Sequence, residues 1–171
     1  MSQADLPQVI EKVYEDWVLY GEDNQYPTQL IDAWQQSAIQ NALVNGIAQM
    51  IAGSEVTAEG DPDQLLQFEL VSNQVNKDGM TLEELISKTA FDLYLQGYFG
   101  WQVIWNVART KIVEIYHQPA ETIRSGKLND EGVVENYYYS PDWAQYRKEK
   151  FKPKRIRAFN PIDRSEARQM M

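Results

Sequence analysis

The hydrophobic period of this chain changes at Gly97, and that change constrains the fold more than any other feature of the sequence. Upstream, Thr81-Leu82-Glu83-Glu84 is a capping box, the pattern with which many helices begin. The side chains of this helix that are expected to face the core are Leu82, Leu85, Ile86, Ala90, Leu93 and Tyr94. Downstream of Gly97, a switch from helical to alternating periodicity predicts a strand. One side of this strand carries Phe99, Trp101, Val103, Trp105 and Val107. A helix followed directly by a strand predicts an α+β fold, with helices packed on a small antiparallel β-sheet.

A pair of helices is predicted between Pro27 and Gly53. The first should begin near Thr28, because proline is tolerated at a helix start. Ser37 precedes Gln40 by three residues, a second capping pattern that divides the segment in two. The second helix is expected to bury Ile39, Leu43, Ile47, Met50 and Ile51. Its remaining surface is rich in Gln and Asn, which either hydrogen-bond to neighbouring molecules or are simply exposed amides.

The other segments give weaker patterns. Helix-like spacing of apolar residues predicts a first helix within Pro7–Tyr20, while Leu65–Val71 fits either a short strand or a helical turn. Lys111–His117 and Val133–Tyr139 are rich in β-formers and predict further strands of an antiparallel sheet. After Pro141, prolines and charged residues predict that regular structure fades.

Charge divides the chain more sharply than its total of −9 suggests. From Arg147 onward, nine basic residues stand against three acidic ones, which gives this segment +6 and leaves −15 for the rest. We therefore predict an acidic domain over residues 1–146 and a basic segment over 147–171. Cysteine is absent, which excludes disulfides and thiolate metal sites and fits a reducing compartment. No apolar run approaches the length of a membrane span, and no secretory leader pattern is present.

The sequence offers little for catalysis. It contains no phosphate-binding glycine loop, nucleophile elbow or zinc-binding helix motif. His117 is the single histidine, and a structural role is favoured because no ligand set accompanies it. A carboxylate pair such as Asp92 with Glu114 stays open as an acid-base candidate, although a chain with 25 acids produces such pairs by chance. We expect no enzyme activity, no cofactor and no metal site.

The aromatic run that includes Tyr98, Phe99, Trp101 and Trp105 has two interpretations. Rings on alternate strand positions can stack on nucleic-acid bases, but such platforms need interleaved positive charge, and no Lys or Arg occurs in this run. Packing of these rings in the core is therefore favoured.

Four collinear segments resemble the N-terminal part of bacteriophage portal proteins. They read "YGEDNQYPTQLIDAWQQSAIQNALVNGIAQMIAG", "DGMTLEELISKTAFDLYLQGYFGWQVIWN", "IVEIYHQPAETIRSG" and "VVENYYYSPDWAQYRKEKFKPKRIRAFNP". The resemblance spans most of Trp17 to Pro161. It implies a wing-like structural domain without catalytic residues, in a ring that is usually dodecameric and forms the channel for DNA packaging and ejection.

The resemblance also implies partners and a location. Portals associate with copies of themselves, with terminase, capsid and tail adaptor proteins, and with double-stranded DNA that passes non-specifically; no membrane is involved. The expected location is the portal vertex of the virion, with the host cytoplasm during assembly. Portals usually run several hundred residues, so we expect stem and clip segments to lie beyond this N-terminal portion. The alternative is a small acidic protein-protein interaction domain unrelated to phage.

The basic segment supplies the candidate contact residues. They are Lys148, Lys150, Lys152, Lys154, Arg155 and Arg157. Contact with DNA would use these cations alone, whereas contact with the acidic body of an adjacent subunit would also use apolar residues. Phe151, Ile156 and Phe159 are interleaved with the cations, so a subunit contact is favoured.

Overall fold

The structure is a computed structural model that describes residues 8–54 and 56–159. They form two compact units, one built from residues up to Gln36 together with those from Ala120 onward, the other from Ser37–Pro119. Four helices and small antiparallel sheets confirm the mixed α+β class. The boundary between residues 1–146 and 147–171 was drawn on charge and stays a prediction.

The helices and strands are short. In chain order they are β1 (Val9–Glu11), β2 (Val18–Tyr20), α1 (Tyr26–Gln36), α2 (Ala38–Ala52), α3 (Pro62–Asn73), α4 (Leu82–Gln96), β3 (Gly100–Trp105), β4 (Ile112–Gln118), β5 (Ile123–Ser125), β6 (Asn136–Tyr139) and β7 (Lys154–Arg157). Single 3-10 turns lie at Ala120–Thr122, Trp143–Gln145 and Glu149–Phe151.

The first unit combines a hairpin with a three-stranded sheet. β1 pairs with β2, and the sheet has the order β5-β6-β7, antiparallel throughout. Its buried apolar residues are Val18, Leu19, Ala120, Tyr138 and Trp143. The ring of Trp17 lies 5.4 Å from that of Tyr138 and 5.5 Å from that of Trp143, centre to centre, so aromatic contacts dominate this core.

The second unit packs α2 against α4 and adds the β3–β4 hairpin. The Thr81 hydroxyl accepts from the Glu84 amide at 3.1 Å, while the Glu84 carboxylate accepts from the Thr81 amide at 3.0 Å, which confirms the capping box. Gly97 ends α4 at φ 80, a left-handed conformation that favours glycine. The Ser37 hydroxyl caps α2 as predicted, and an unpredicted capping box at Asp61 begins α3, so Leu65–Val71 is helical.

Two predictions about the ends of the chain are wrong. The segment predicted as a first helix forms β1 and β2 instead, because β-branched residues favour strands and the turn between them closes with a Glu15-to-Lys12 backbone hydrogen bond. Regular structure also does not fade after Pro141, since β7 pairs with β6 along Lys154–Arg157. The predicted sheet is divided as well: β3–β4 and β5–β6–β7 are separate.

The buried face of α2 is not the predicted one. The buried residues are Val44, Ala48 and Ala52, whereas Ile39, Leu43 and Met50 are exposed. Small side chains let two helix axes approach closely, which explains why this face packs on α4. Leu93 and Tyr94 of α4 are likewise half-exposed, contrary to the predicted inward face.

The predicted burial of the aromatic strand is also corrected. Phe99 and Trp101 are each half-exposed, with ring centres 5.5 Å apart. The Trp101 indole donates to the Thr89 hydroxyl at 2.8 Å, so its polar group is satisfied at the surface of α4. Truncating Trp101 is therefore expected to destabilise the fold less than truncating a fully buried ring would.

Two leucines of α4 provide a test of this burial pattern. Leu85 is fully buried and Leu93 is half-exposed. Leu85→Ala should lower the free energy of unfolding by about 2–5 kcal/mol, because it removes buried methyl groups and leaves a cavity. Leu93→Ala should lower it by less than about 1 kcal/mol. Urea unfolding followed by circular dichroism measures both, and equal losses would contradict the assigned core.

Candidate functional site: interaction surfaces

The predicted contact residues lie in the first unit, in β7 and the segment that leads into it. Lys148 precedes the 3-10 turn at Glu149–Phe151, Lys150 lies within it, and Lys152 follows it. β7 carries the remaining three: Lys154, Arg155 and Arg157. All six are exposed. β7 is an outermost strand of its sheet, so the cations follow a sheet edge. A role of these residues in binding stays a prediction.

Most of these cations form no ion pair with a described carboxylate, although Glu149 lies between Lys148 and Lys150 in the sequence. No described carboxylate lies within ion-pair distance of Lys148, Lys150, Lys152, Lys154 or Arg155. The Lys148 ammonium donates instead to the Gln145 side chain at 2.6 Å. Charges of one sign collected at one edge produce a local positive potential in an acidic chain, which attracts an anionic partner.

The strand register adds apolar residues to the same edge. Residues directly opposite each other in antiparallel strands project on one face, and Tyr137 is opposite Ile156 while Tyr139 is opposite Lys154. We call these four residues the outer sheet face. Tyr137 and Ile156 are both exposed. Aromatic and aliphatic side chains beside a cation are typical of protein interfaces.

The opposite face of this sheet is closed by a buried arginine. Arg124 of β5 is fully buried. Its Nε donates to the Asn24 side-chain oxygen at 2.6 Å, and its terminal nitrogens donate to the carbonyl of Asn24 at 2.8 Å and to those of Glu121 and Ile123 at 2.9 and 2.8 Å. Hydrogen bonds to a buried charge are needed to offset its loss of hydration.

Two aromatic rings also contact the Arg124 guanidinium. Its carbon lies 4.9 Å from the centre of the Trp143 ring and 5.1 Å from that of Tyr20, within the range of cation–π attraction. The Asn24 partner depends on a specific turn: Asn24 has φ 60, Gly21 has φ 82, and the Tyr20 amide donates to the Asn24 side chain at 3.0 Å. Nothing in the local sequence pattern marks Arg124 as buried, so sequence reasoning missed it.

Replacing Arg124 with lysine tests this arrangement. Lysine keeps the charge but has no planar group of five donors, so several acceptors lose their partners in the buried site. Arg124→Lys should lower the free energy of unfolding by about 2–4 kcal/mol. The exposed Arg147→Lys is the matched control and should stay within about 0.5 kcal/mol. Chemical unfolding measures both, and an unchanged midpoint for Arg124→Lys would contradict the assigned role.

The second unit exposes apolar side chains on α2. Ile39, Leu43 and Met50 are 82%, 53% and 77% exposed, and helix geometry places them on the side opposite the buried Ala48. We call these three residues the α2 outer stripe. Single exposed aliphatic residues are ordinary, but a row of them along one helix face is a candidate binding surface.

α3 is exposed on almost every side. None of its residues is buried, and Leu66 and Leu70 are 57% and 64% exposed. Positions three and four apart adjoin on a helix, so Asp63 and Glu69 flank these leucines. We call these four residues the α3 outer stripe. No described cation lies within ion-pair distance of Asp63 or Glu69.

The sequence around these helices is acidic without exception. Between Lys12 and Lys77 there are ten Asp or Glu residues and no Lys, Arg or His. α2 itself carries no charge, so the acids adjoin it in the following segment and in α3. Five of these ten acids lie between Ser37 and Lys77 in the sequence, around α2 and α3, and the other five precede Gln36 and belong to the first unit, which also carries the basic residues from Arg147 onward.

The single histidine is part of a buried pair. His117 Nε2 lies 2.8 Å from the Asp92 carboxylate, and both side chains are almost entirely buried, which links β4 to α4. This geometry fits the predicted structural role of His117. Glu114 has different partners: Lys77 at 2.8 Å and the Tyr116 hydroxyl at 2.5 Å. The two carboxylates proposed as an acid-base pair are therefore each engaged elsewhere.

The environment of Glu114 makes a pH-dependent prediction. The hydrogen bond from Lys77, followed by that from Tyr116, lowers the pKa of Glu114 below its ordinary value of 4.5. A carboxyl group with a lowered folded-state pKa stabilises the fold above its unfolded pKa, and the stabilisation is lost as pH falls through the folded value. Lys77→Met should therefore raise the pKa of Glu114 in a carbon-13 NMR titration. Lys88→Met is the control, and an unchanged Glu114 pKa in Lys77→Met would contradict the assignment.

Other kinds of site find no support among the described residues. A cavity of about 450 Å³ is lined by Gly21, Glu22, Asp23, Tyr26 and Gln29. Asp23 is already bound to the Gln25 amide and the Gln29 side chain. Across residues 8–54 and 56–159, no group of three or more acidic or histidine side chains is arranged to hold a metal ion. None of the helices in this part of the chain is long and apolar enough to cross a membrane.

Comparison with known proteins adds no family assignment. No protein-family model matches the chain, and no curated protein matches it either.

Proposed function

We propose that this chain is a structural subunit of a bacteriophage portal, representing its N-terminal part. In this role it assembles with copies of itself around the channel through which DNA is packaged and ejected. The observation that carries the proposal is the α2 outer stripe, a row of large apolar side chains that the fold of the chain leaves uncovered. Four collinear segments that resemble portal proteins support the same conclusion.

The kinds of side chain available also support a structural role. A ring subunit needs extended surfaces and fixed geometry, and it does not need a nucleophile, a cofactor or a metal. The most buried titratable pair, His117 with Asp92, links a strand to a helix and is largely closed to solvent. In the proposed assembly, ATP turnover belongs to the terminase partner, and duplex DNA contacts the channel without sequence preference.

A second candidate is a small acidic interaction domain unrelated to phage. The observation in its favour is the long cation-free segment between Lys12 and Lys77, which would suit a basic partner. The two functions differ in what the purified chain does alone. A portal subunit self-associates, whereas the acidic domain stays monomeric until its partner is added.

Sedimentation velocity of the chain tests the proposal. We expect association at protein concentrations up to about 100 μM, with dissociation constants of about 1–10 μM. Leu43→Glu with Met50→Glu should weaken this association, because it introduces charge into the α2 outer stripe. Val107→Glu, at a fully exposed turn residue, is the matched control.

The outcomes separate the two functions. Association that the α2 variant weakens and the control does not supports the portal subunit, and negative-stain images then show whether the assemblies are closed rings. A wild-type chain that remains monomeric over the whole concentration range would contradict the portal proposal in favour of the acidic interaction domain.

A further inference from the structure

Two uncovered surfaces of this chain have opposite charge and similar apolar content. The α3 outer stripe presents Leu66 and Leu70 between Asp63 and Glu69. The outer sheet face presents Tyr137 and Ile156 next to Lys154, while Arg155 and Arg157 of the same strand project from the opposite face of β7. Each surface therefore combines exposed apolar residues with adjacent charge, a combination found at protein interfaces.

We propose that the outer sheet face and basic segment of one copy bind the α3 outer stripe of a second copy. This inference rests on the proposed function, because it requires that the chain self-associates. The two surfaces that bind each other are thereby specified, whereas the α2 outer stripe alone does not identify the surface that it binds.

Charge complementarity favours a second copy as the occupant. The cations from Lys148 to Arg155 and the carboxylates of Asp63 and Glu69 both have no described ion-pair partner. The chain is strongly segregated, with no cation between Lys12 and Lys77 and nine from Arg147 onward. A copy of the same chain therefore supplies the acidic surface that the basic one needs, and binding would neutralise both.

The apolar residues favour a protein partner over duplex DNA. DNA binding by phosphate contacts requires cations, but exposed aromatic and aliphatic side chains add nothing to it. Tyr137 and Ile156 are directly opposite each other on the outer sheet face, so a helix carrying two leucines would cover both. A contact between two different surfaces is heterologous, and repeated copies of it produce a ring or a filament.

Mixing two variants, each with a different one of the two surfaces disrupted, tests this pairing. The first variant, Leu66→Lys with Leu70→Lys, places positive charge on the α3 outer stripe. The second, Lys154→Glu with Ile156→Glu, places negative charge on the outer sheet face. Each alone should associate at least about tenfold more weakly than the wild type, because like charges then face each other. The control, Lys88→Glu with Val107→Glu, changes exposed residues outside both surfaces and should associate as the wild type does.

The mixture gives the decisive result. The first variant keeps an intact sheet face and the second keeps an intact α3, so an equimolar mixture should form a 1:1 complex that neither variant forms alone. Circular dichroism and thermal melts of each variant establish that both are folded.

Three results would overturn the pairing. If the sheet variant associates like the wild type, self-association uses other surfaces, and the proposed function survives without this inference. If the sheet variant loses only its retention of duplex DNA at low salt, the basic segment binds DNA instead. If both variants are weakened but their mixture does not recover a complex, the two surfaces do not bind each other. A wild-type chain that never associates contradicts the proposed function itself, which distinguishes that failure from these three.

Discussion

Burial of the Arg124 guanidinium is the constraint on which the first unit depends. Removing a cation from water costs several kcal/mol unless its donors are matched inside the protein. Here Asn24 supplies two of the acceptors, Glu121 and Ile123 each supply a carbonyl, and two aromatic rings cover the group. Asn24 can do so only because the turn after β2 adopts positive φ at Gly21 and Asn24. One side chain thus holds together segments that are 100 residues apart in the sequence.

This dependence explains which parts of the fold were predictable. α4 begins and ends on local signals at its two caps, the Thr81 capping box and the left-handed Gly97, so its bounds follow from the sequence. β1 and β2 have no such signal, and their apolar spacing fits a helix as well as a hairpin. What decides between the two is tertiary: Val18 and Leu19 are buried in a unit that also requires strands from the far end of the chain.

The candidate site was harder to predict than the fold, because exposure depends on which face of a helix finds a partner. In α2 the apolar residues occupy both sides, and hydrophobicity alone favours Ile39, Leu43 and Met50 as the core. The smaller residues Ala48 and Ala52 are buried instead, because α2 packs closely against α4. The apolar residues that remain outside are the ones that a binding surface needs. The exposure of the basic residues was predictable, since exposed cations need no tertiary partner, but the position of three of them on an edge strand was not.

The separation of acidic and basic residues along the chain affects which surfaces of two such subunits could bind each other. If the α3 outer stripe met the same surface of another copy, Asp63 and Glu69 would face like charges, which opposes association. The same argument applies to the outer sheet face and Lys154. Contact between unlike surfaces avoids both repulsions, and it leaves one unused surface of each kind at the ends of any open chain of subunits. Closing that chain into a ring satisfies the two ends together, and a two-fold dimer does the same when the α3 outer stripe of each copy meets the outer sheet face of the other, so segregation of charge within one subunit opposes only contacts between like surfaces.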